Sequence, residues 1–236
     1  MKRFWVYIKE NPINYSLLAV PVALILEINH ASDLAIFIFS TIGVIPLAGL
    51  IGMSTEVLAA KTGPKIGGLL NATLGNTAEL IITLIAIRAG LIDLAKASIT
   101  GSIIGNLLLV MGFAILAGGL KNGFQKFDRR QSGNHAILLA VSVMALGIPS
   151  LFSYSISPAE SIGVEALSLG VATVMIIIYI LGIVYTLRFS ESPITYTAPK
   201  EDHHPSWKAS TAIIVLGLST AGVAILSEFL VGAIDE

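Results

Sequence analysis

Apolar stretches divide this chain and constrain it more than any other feature. They run at about Tyr15–Ile28, Leu34–Ala60, the two arms of Gly67–Leu120, His135–Leu151, Val164–Leu187 and Ala209–Ala233. A helix crosses a hydrocarbon layer about 30 Å thick with about 20 apolar residues. Only 12% of the 236 residues are charged, against about 25% in soluble domains. The expected fold class is therefore all-α: a polytopic transmembrane protein of about seven helices. Tyr15–Ile28 is short for a span and contains Pro21. The net charge of -1 gives nucleic-acid binding no support, and with no cysteine there is no thiolate metal site. The first apolar stretch follows Lys2, Arg3, Trp5 and Lys9 without a clear small-residue cleavage site, and reads as retained rather than removed.

Two of the stretches form a hairpin with polar interiors. They meet at Arg88-Ala89-Gly90-Leu91-Ile92-Asp93. Gly75-Asn76-Thr77-Ala78-Glu79 sits within the first arm; Thr100-Gly101-Ser102 and Gly105-Asn106 sit within the second. Glu79 and Gly101 are each eleven residues from Gly90. A rise of about 1.5 Å per residue puts both about 16 Å from the turn, near mid-bilayer. Ser102 and Asn106, four apart, share a helix face. An intramembrane carboxylate is costly and by default marks an ion or proton path. Its company here is amide and hydroxyl oxygen, which suits a hard cation such as Ca²⁺. The glycines allow close backbone approach. The blander readings are a structurally paired acid at Glu79, and helix-to-helix glue at Asn76, Ser102 and Asn106. Thr73 and Thr77 read as packing or back-bonding hydroxyls, although a broken helix there would offer carbonyls to a cation.

Gly-Asn-Thr-Ala-Glu-Leu at 75–80, followed by Lys-Ala-Ser-Ile-Thr-Gly-Ser-Ile-Ile-Gly-Asn-Leu-Leu-Leu-Val at 96–110, resembles the first signature repeat of the calcium/proton exchangers of the calcium/cation antiporter superfamily. Ile45-Pro46-Leu47-Ala48-Gly49, Thr55-Glu56 and Gly67-Gly68-Leu69-Leu70-Asn71-Ala72-Thr73 fit the same family. The resemblance implies one half of an inverted-repeat antiporter fold. It implies an ion-binding and proton-coupling set of Glu79, Asn76, Ser102 and Asn106, with Glu79 and Asn106 nearest the metal ion. It also implies a second five-helix unit carrying another Gly-Asn-x-x-Glu cluster, needed to complete the site and not found in residues 1–236.

The chain divides accordingly. Residues 1–33 are a basic segment and first membrane helix; 34–188 are the first five-helix repeat; 189–208 are a polar linker; 209–236 are the first helix of the second repeat. Thr55-Glu56-Val57-Leu58-Ala59-Ala60 can be laid over Ser227-Glu228-Phe229-Leu230-Val231-Gly232 as a weak inverted repeat. Glu56 and Glu228 are candidates for a secondary proton path, or simply sit at the membrane edge. One set of alternate loops holds Lys2, Arg3, Lys9, Lys61, Lys65, Lys121, Lys126, Arg129, Arg130, Arg188, Lys200 and Lys208; the other holds only Arg88 and Lys96. That asymmetry predicts a cytoplasmic N-terminus. His203-His204, in the linker, reads as solvated rather than as a metal clip.

The function expected is a multi-pass antiporter, most simply in the cell membrane, exporting Ca²⁺ in exchange for H⁺. It would have no cofactor beyond the transported ions, perform no covalent chemistry and so be no enzyme. Its partners would be the lipid bilayer and further copies of itself in a homo-oligomer. The alternatives are exchange of another divalent cation or coupling to Na⁺. From another class come a cation channel and a scaffold whose polar cluster only packs helices.

Overall fold

The structure, a computed structural model, describes residue 8 and residues 11–125, 129–155, 161–188 and 207–235. Lys2, Arg3, Lys9, Lys126, Lys200, Glu160 and the His203-His204 pair lie outside them. Every regular element among the described residues is helical. A 3-10 helix, Pro12–Leu18, leads into α1, Ala19–Ile28. Pro12 opens the first and Pro21 stands in the first turn of the second, where a missing N–H costs little.

The end of α1 is a Schellman turn. His30 N–H donates to Glu27 O and Ala31 N–H to Leu26 O, with His30 at φ 49°. α2 then runs Asp33–Thr62, with Asp33 in its first turn and Lys61 in its last, both matched to the helix dipole. Its 30 residues continue through Pro46, which is buried. α3 is Pro64–Leu74 and α4 is Thr77–Arg88. The sequence reading treats these two as one apolar arm; the structure breaks it at Gly75-Asn76. Asn76, at φ -105° and ψ 18°, leaves helical geometry and becomes the N-cap of α4, a position that asparagine favours.

Gly90, at φ 82°, reverses the chain. Leu91 N–H donates to Ala86 O and Gly90 N–H to Ile87 O, again the Schellman pattern. The hairpin turn read from the sequence is thus present at the expected residue. α5, Ile92–Ile104, passes into a π-helical segment, Gly105–Val110, and then α6, Met111–Asn122. α7 is Arg129–Ser155, α8 is Ser161–Arg188 and α9 is Ala209–Asp235.

Two compact units result. One joins Met1–Gly123 to Ala198–Glu236; the other is Phe124–Thr197, in which α7 packs on α8. The core of the first unit is the seam between α2 and α9. Leu47, Ile51, Val223 and Leu226 are buried there together with Ala23 and Ala78. α2 and α9 run antiparallel, because Gly43 faces Leu226 while Gly222 faces Leu47. Ala86 and Ala95 pack across the Gly90 hairpin against Val231 of α9.

Among the described residues, four helical stretches are long and apolar enough to cross a membrane: Asp33–Thr62, Ile92–Asn122, Ile162–Tyr185 and Ala209–Ile234. Pro12–Ile28 and Ala136–Phe152 are shorter apolar helices. The exposed surface carries many large apolar side chains, among them Leu108, Phe113, Leu120 and Leu169. That is the surface of an integral membrane protein, whose solvent is lipid.

Candidate ion site

The candidate site lies at a helix break. α3 ends and α4 begins within two residues, so the carbonyl-rich end of one helix and the N–H-rich start of the next meet at Gly75-Asn76. Of the last-turn carbonyls of α3, that of Asn71 accepts the Gly75 N–H at 3.0 Å. A side chain at Gly75 has no room: an added Cβ would stand 2.5 Å from Asn71 O. Thr73 Oγ1 donates to Leu69 O at 2.8 Å, the back-bonding role read for it from sequence. The carbonyl of Asn76 accepts the Leu80 N–H at 3.0 Å, and the residue itself is exposed.

Glu79 lies in the first turn of α4 and is half-buried. Its helix N-terminus favours negative charge. The preceding residue, Ala78, is buried in the α2–α9 seam against Leu47, Ile51 and Val223. That contact fixes the start of α4 at the centre of the first unit. The Glu79 carboxylate makes no hydrogen bond or ion pair among the described residues. Nothing in the packing therefore supports the bland reading of a structurally paired acid.

On the second arm, Asn106 Nδ2 donates to Ser102 Oγ at 3.4 Å, a long bond. Ser102 is half-buried and Asn106 is exposed at the start of the π segment. The hairpin brings this pair and Glu79 to the same side of Gly90. It joins neither Ser102 nor Asn106 to Glu79 by a hydrogen bond. Among the described residues, no three His, Asp or Glu side chains cluster as a metal cage. One carboxylate with amide, hydroxyl and carbonyl oxygens is the chemistry that this break presents.

Glu56 and Glu228 are both exposed, each beside a buried hydroxyl residue. Thr55 Oγ1 donates to Ile51 O at 2.8 Å, and Ser227 Oγ donates to Val223 O at 2.6 Å. Glu228 lines a cavity of about 380 Å³ together with Glu27, His30 and Asp33. The sequence reading treats residues 29–33 only as a polar break. Nothing local could have joined them to Glu228, which is about 200 residues further along the chain. At the far end of the hairpin, Lys96 and Asp93 form an exposed ion pair of 3.9 Å.

A helix broken at Gly75-Asn76, with a carboxylate in the first turn beyond the break, is the kind of arrangement from which discontinuous-helix transporters build their ion sites. A sequence profile described as "Sodium/calcium exchanger protein" matches residues 32–188. The chain belongs to that family. It is 38% identical over 216 residues to the Ca²⁺/H⁺ antiporter ChaA of Bacillus subtilis, covering 90% of this chain and 61% of the relative. It is 36% identical over 222 residues to a Ca²⁺/H⁺ antiporter of Synechocystis, covering 86% and 59%. Among plant relatives, vacuolar cation/proton exchanger 1a of Oryza sativa is 35% identical over 232 residues, covering 92% and 51%. The solved structure "Structure of native YfkE" superposes with a TM-score of 0.74 at 33% identity, covering 92% of this chain and 60% of that one. The chain thus spans about half to three fifths of the length of these relatives.

Proposed function

We propose that the protein containing this chain is a secondary antiporter that exports Ca²⁺ from the cytoplasm in exchange for H⁺. The observation that carries the reading is the position of Glu79 at the break between α3 and α4, a carboxylate with no hydrogen bond or ion pair among the described residues. The relatives' names, Ca²⁺/H⁺ antiporter and cation/proton exchanger, support the choice of ions.

The mechanism follows from charge. A deprotonated Glu79 attracts a divalent cation, and Asn106, Ser102, Asn76 and nearby carbonyls supply neutral oxygens. Ca²⁺ takes six to eight oxygen ligands, so a second repeat beyond these residues completes the shell. Protonation of Glu79 cancels its charge and releases the ion. One site cannot hold both ions, and alternating access then couples their opposite movements. Glu56 and Glu228 serve as stations on a secondary proton path. No bond is made or broken, so the protein is no enzyme. It sits in the cell membrane with its N-terminus and the Lys121–Arg130 loop in the cytoplasm, and it can self-associate.

Sealed vesicles holding the full-length protein test this. An imposed pH gradient should drive Ca²⁺ uphill, and a channel or scaffold could not do so. Uphill movement driven by a Na⁺ gradient and not by a pH gradient would replace H⁺ with Na⁺ as the coupling ion.

A further inference from the structure

At one end the α2–α9 seam opens into a cavity of about 380 Å³. Its place follows from contacts deeper in the seam. Gly43 faces Leu226 there. Ile36 lies seven residues before Gly43 and Ala233 seven after Leu226, and both line the cavity. Seven residues are about 10 Å of helix. Glu228 is only two residues past Leu226, so it lines the inner part. Asp33, at the start of α2, and His30, in the turn before it, line the outer part. Glu27, from the last turn of α1, completes the polar lining. On the inner side, Leu226 belongs to the buried cluster that holds Ala78, the neighbour of Glu79.

Three carboxylates and one imidazole thus line the cavity, from α1, α2, α9 and the turn between the first two. No lysine or arginine lines it. None of the four side chains makes a hydrogen bond or ion pair among the described residues. No three of them cluster as a metal cage. The His30 backbone sits at φ 49°, in the Schellman turn that ends α1. That position favours glycine or asparagine. Here it carries the one side chain of the four whose ordinary charge change falls between about pH 5 and 8.

We infer, on the antiporter reading above, that this cavity is the mouth through which protons enter the secondary path at Glu228, with His30 as the residue that loads it. The neutral imidazole takes a proton from water at one ring nitrogen. It yields that proton, through water in the cavity, to a carboxylate oxygen of Glu228 and is left neutral again. Glu27 and Asp33 keep the mouth negative, which raises the local concentration of hydronium. The mouth lies at the end of the seam away from Lys61 and Lys208. In the topology drawn from the basic loops that end is extracytoplasmic, the side from which protons enter as Ca²⁺ leaves.

The test uses the full-length protein in vesicles of known orientation. Proton-driven Ca²⁺ movement is measured while the pH on the cavity's face is stepped. Asparagine accepts the left-handed backbone and does not titrate. His30→Asn should slow exchange about three- to tenfold when that face is neutral or alkaline, and little when it is acidic and protons are plentiful. The KM for Ca²⁺ on the cytoplasmic face should not change. Free imidazole, which the cavity has room to admit, should restore the rate when added to that face. It should fail to do so in the double variant His30→Asn, Glu228→Gln, which lacks the acceptor. A His30→Asn protein with the wild-type pH profile overturns the assignment. So does a loss that imidazole does not restore, or a rescue that persists without the Glu228 carboxylate. If His30→Asn does not reach the membrane, His30→Gly, which φ 49° favours, is read in the same way. Glu79→Gln is run beside them. Full exchange by that variant would sink the antiporter site itself, whereas its loss beside an unaltered His30→Asn would sink the proton mouth alone.

Discussion

Gly67 of α3 lies against the backbone of Ala59 in α2, so close that an added Cβ would stand 2.6 Å from the Ala59 carbonyl oxygen. A backbone cannot rotate away as a side chain can. Gly67→Ala should therefore force α3 off α2 and destabilise the protein by about 1–3 kcal/mol. Its neighbour Gly68 has nothing within 4 Å of an added Cβ. Gly68→Ala should be neutral or stabilising by up to about 1 kcal/mol, as for glycine in a helix interior. Thermal unfolding of the two variants in detergent gives the comparison, and equal losses would mean that the Ala59 contact does not position α3.

Glu79→Gln should abolish Ca²⁺/H⁺ exchange in the full-length protein and leave the fold intact. Glutamine keeps nearly the same volume but loses both the negative charge and the titratable proton. Asn106→Ala should be milder, because water can replace a neutral oxygen, and Ser102→Ala milder still. Proton-driven Ca²⁺ uptake reads the rates, and gel filtration checks the folded amount. Near wild-type exchange by a well-folded Glu79→Gln would move the coupling carboxylate elsewhere.

Two hydroxyls in the α2 core are buried without a hydrogen-bond partner, those of Ser40 and Ser54. Removing an unsatisfied polar group relieves a desolvation cost. Ser40→Ala and Ser54→Ala should leave stability unchanged or raise it by up to about 1 kcal/mol. Ser227, also buried, donates to Val223 O at 2.6 Å. Ser227→Ala should lower stability by about 0.5–1.5 kcal/mol. Denaturation midpoints that rank the three in the opposite order would contradict this assignment of satisfied and unsatisfied groups.

The loop after α6 carries the clearest orientation signal. Gln125→Cys should be labelled by an impermeant thiol reagent only from the cytoplasmic side. Labelling only from outside would invert the topology drawn from the basic loops.

The sequence made the hairpin legible because its turn is written in local chemistry: Gly90 supplies the positive φ and the apolar arms flank it. The helix class was equally plain, since apolar stretches of that length leave few alternatives. The break at Gly75-Asn76 was visible only as an option, because glycine and asparagine within an apolar arm also suit close packing. The π segment left no trace: Gly105–Val110 reads as ordinary helix, and its hydrogen-bond shift depends on tertiary surroundings.

The π segment also sets an angular phase. Met111 N–H donates to Asn106 O, a reach of five residues where an α-helix reaches four. One residue of surplus in a helix of 3.6 residues per turn rotates whatever follows by about 100°. The lipid-facing side of Met111–Asn122 is therefore indexed not to Ile92 and the Gly90 turn but to that extra residue. Deleting any one residue between Gly105 and Val110 removes the surplus, so a regular α-helix through this stretch would hold Met111–Asn122 on the same face. Straightening the segment without shortening it would instead turn the far half through more than a quarter of a circle. For this stretch of chain, length is a coordinate of orientation, and a single-residue deletion is expected to be tolerated better here than elsewhere on the same helix.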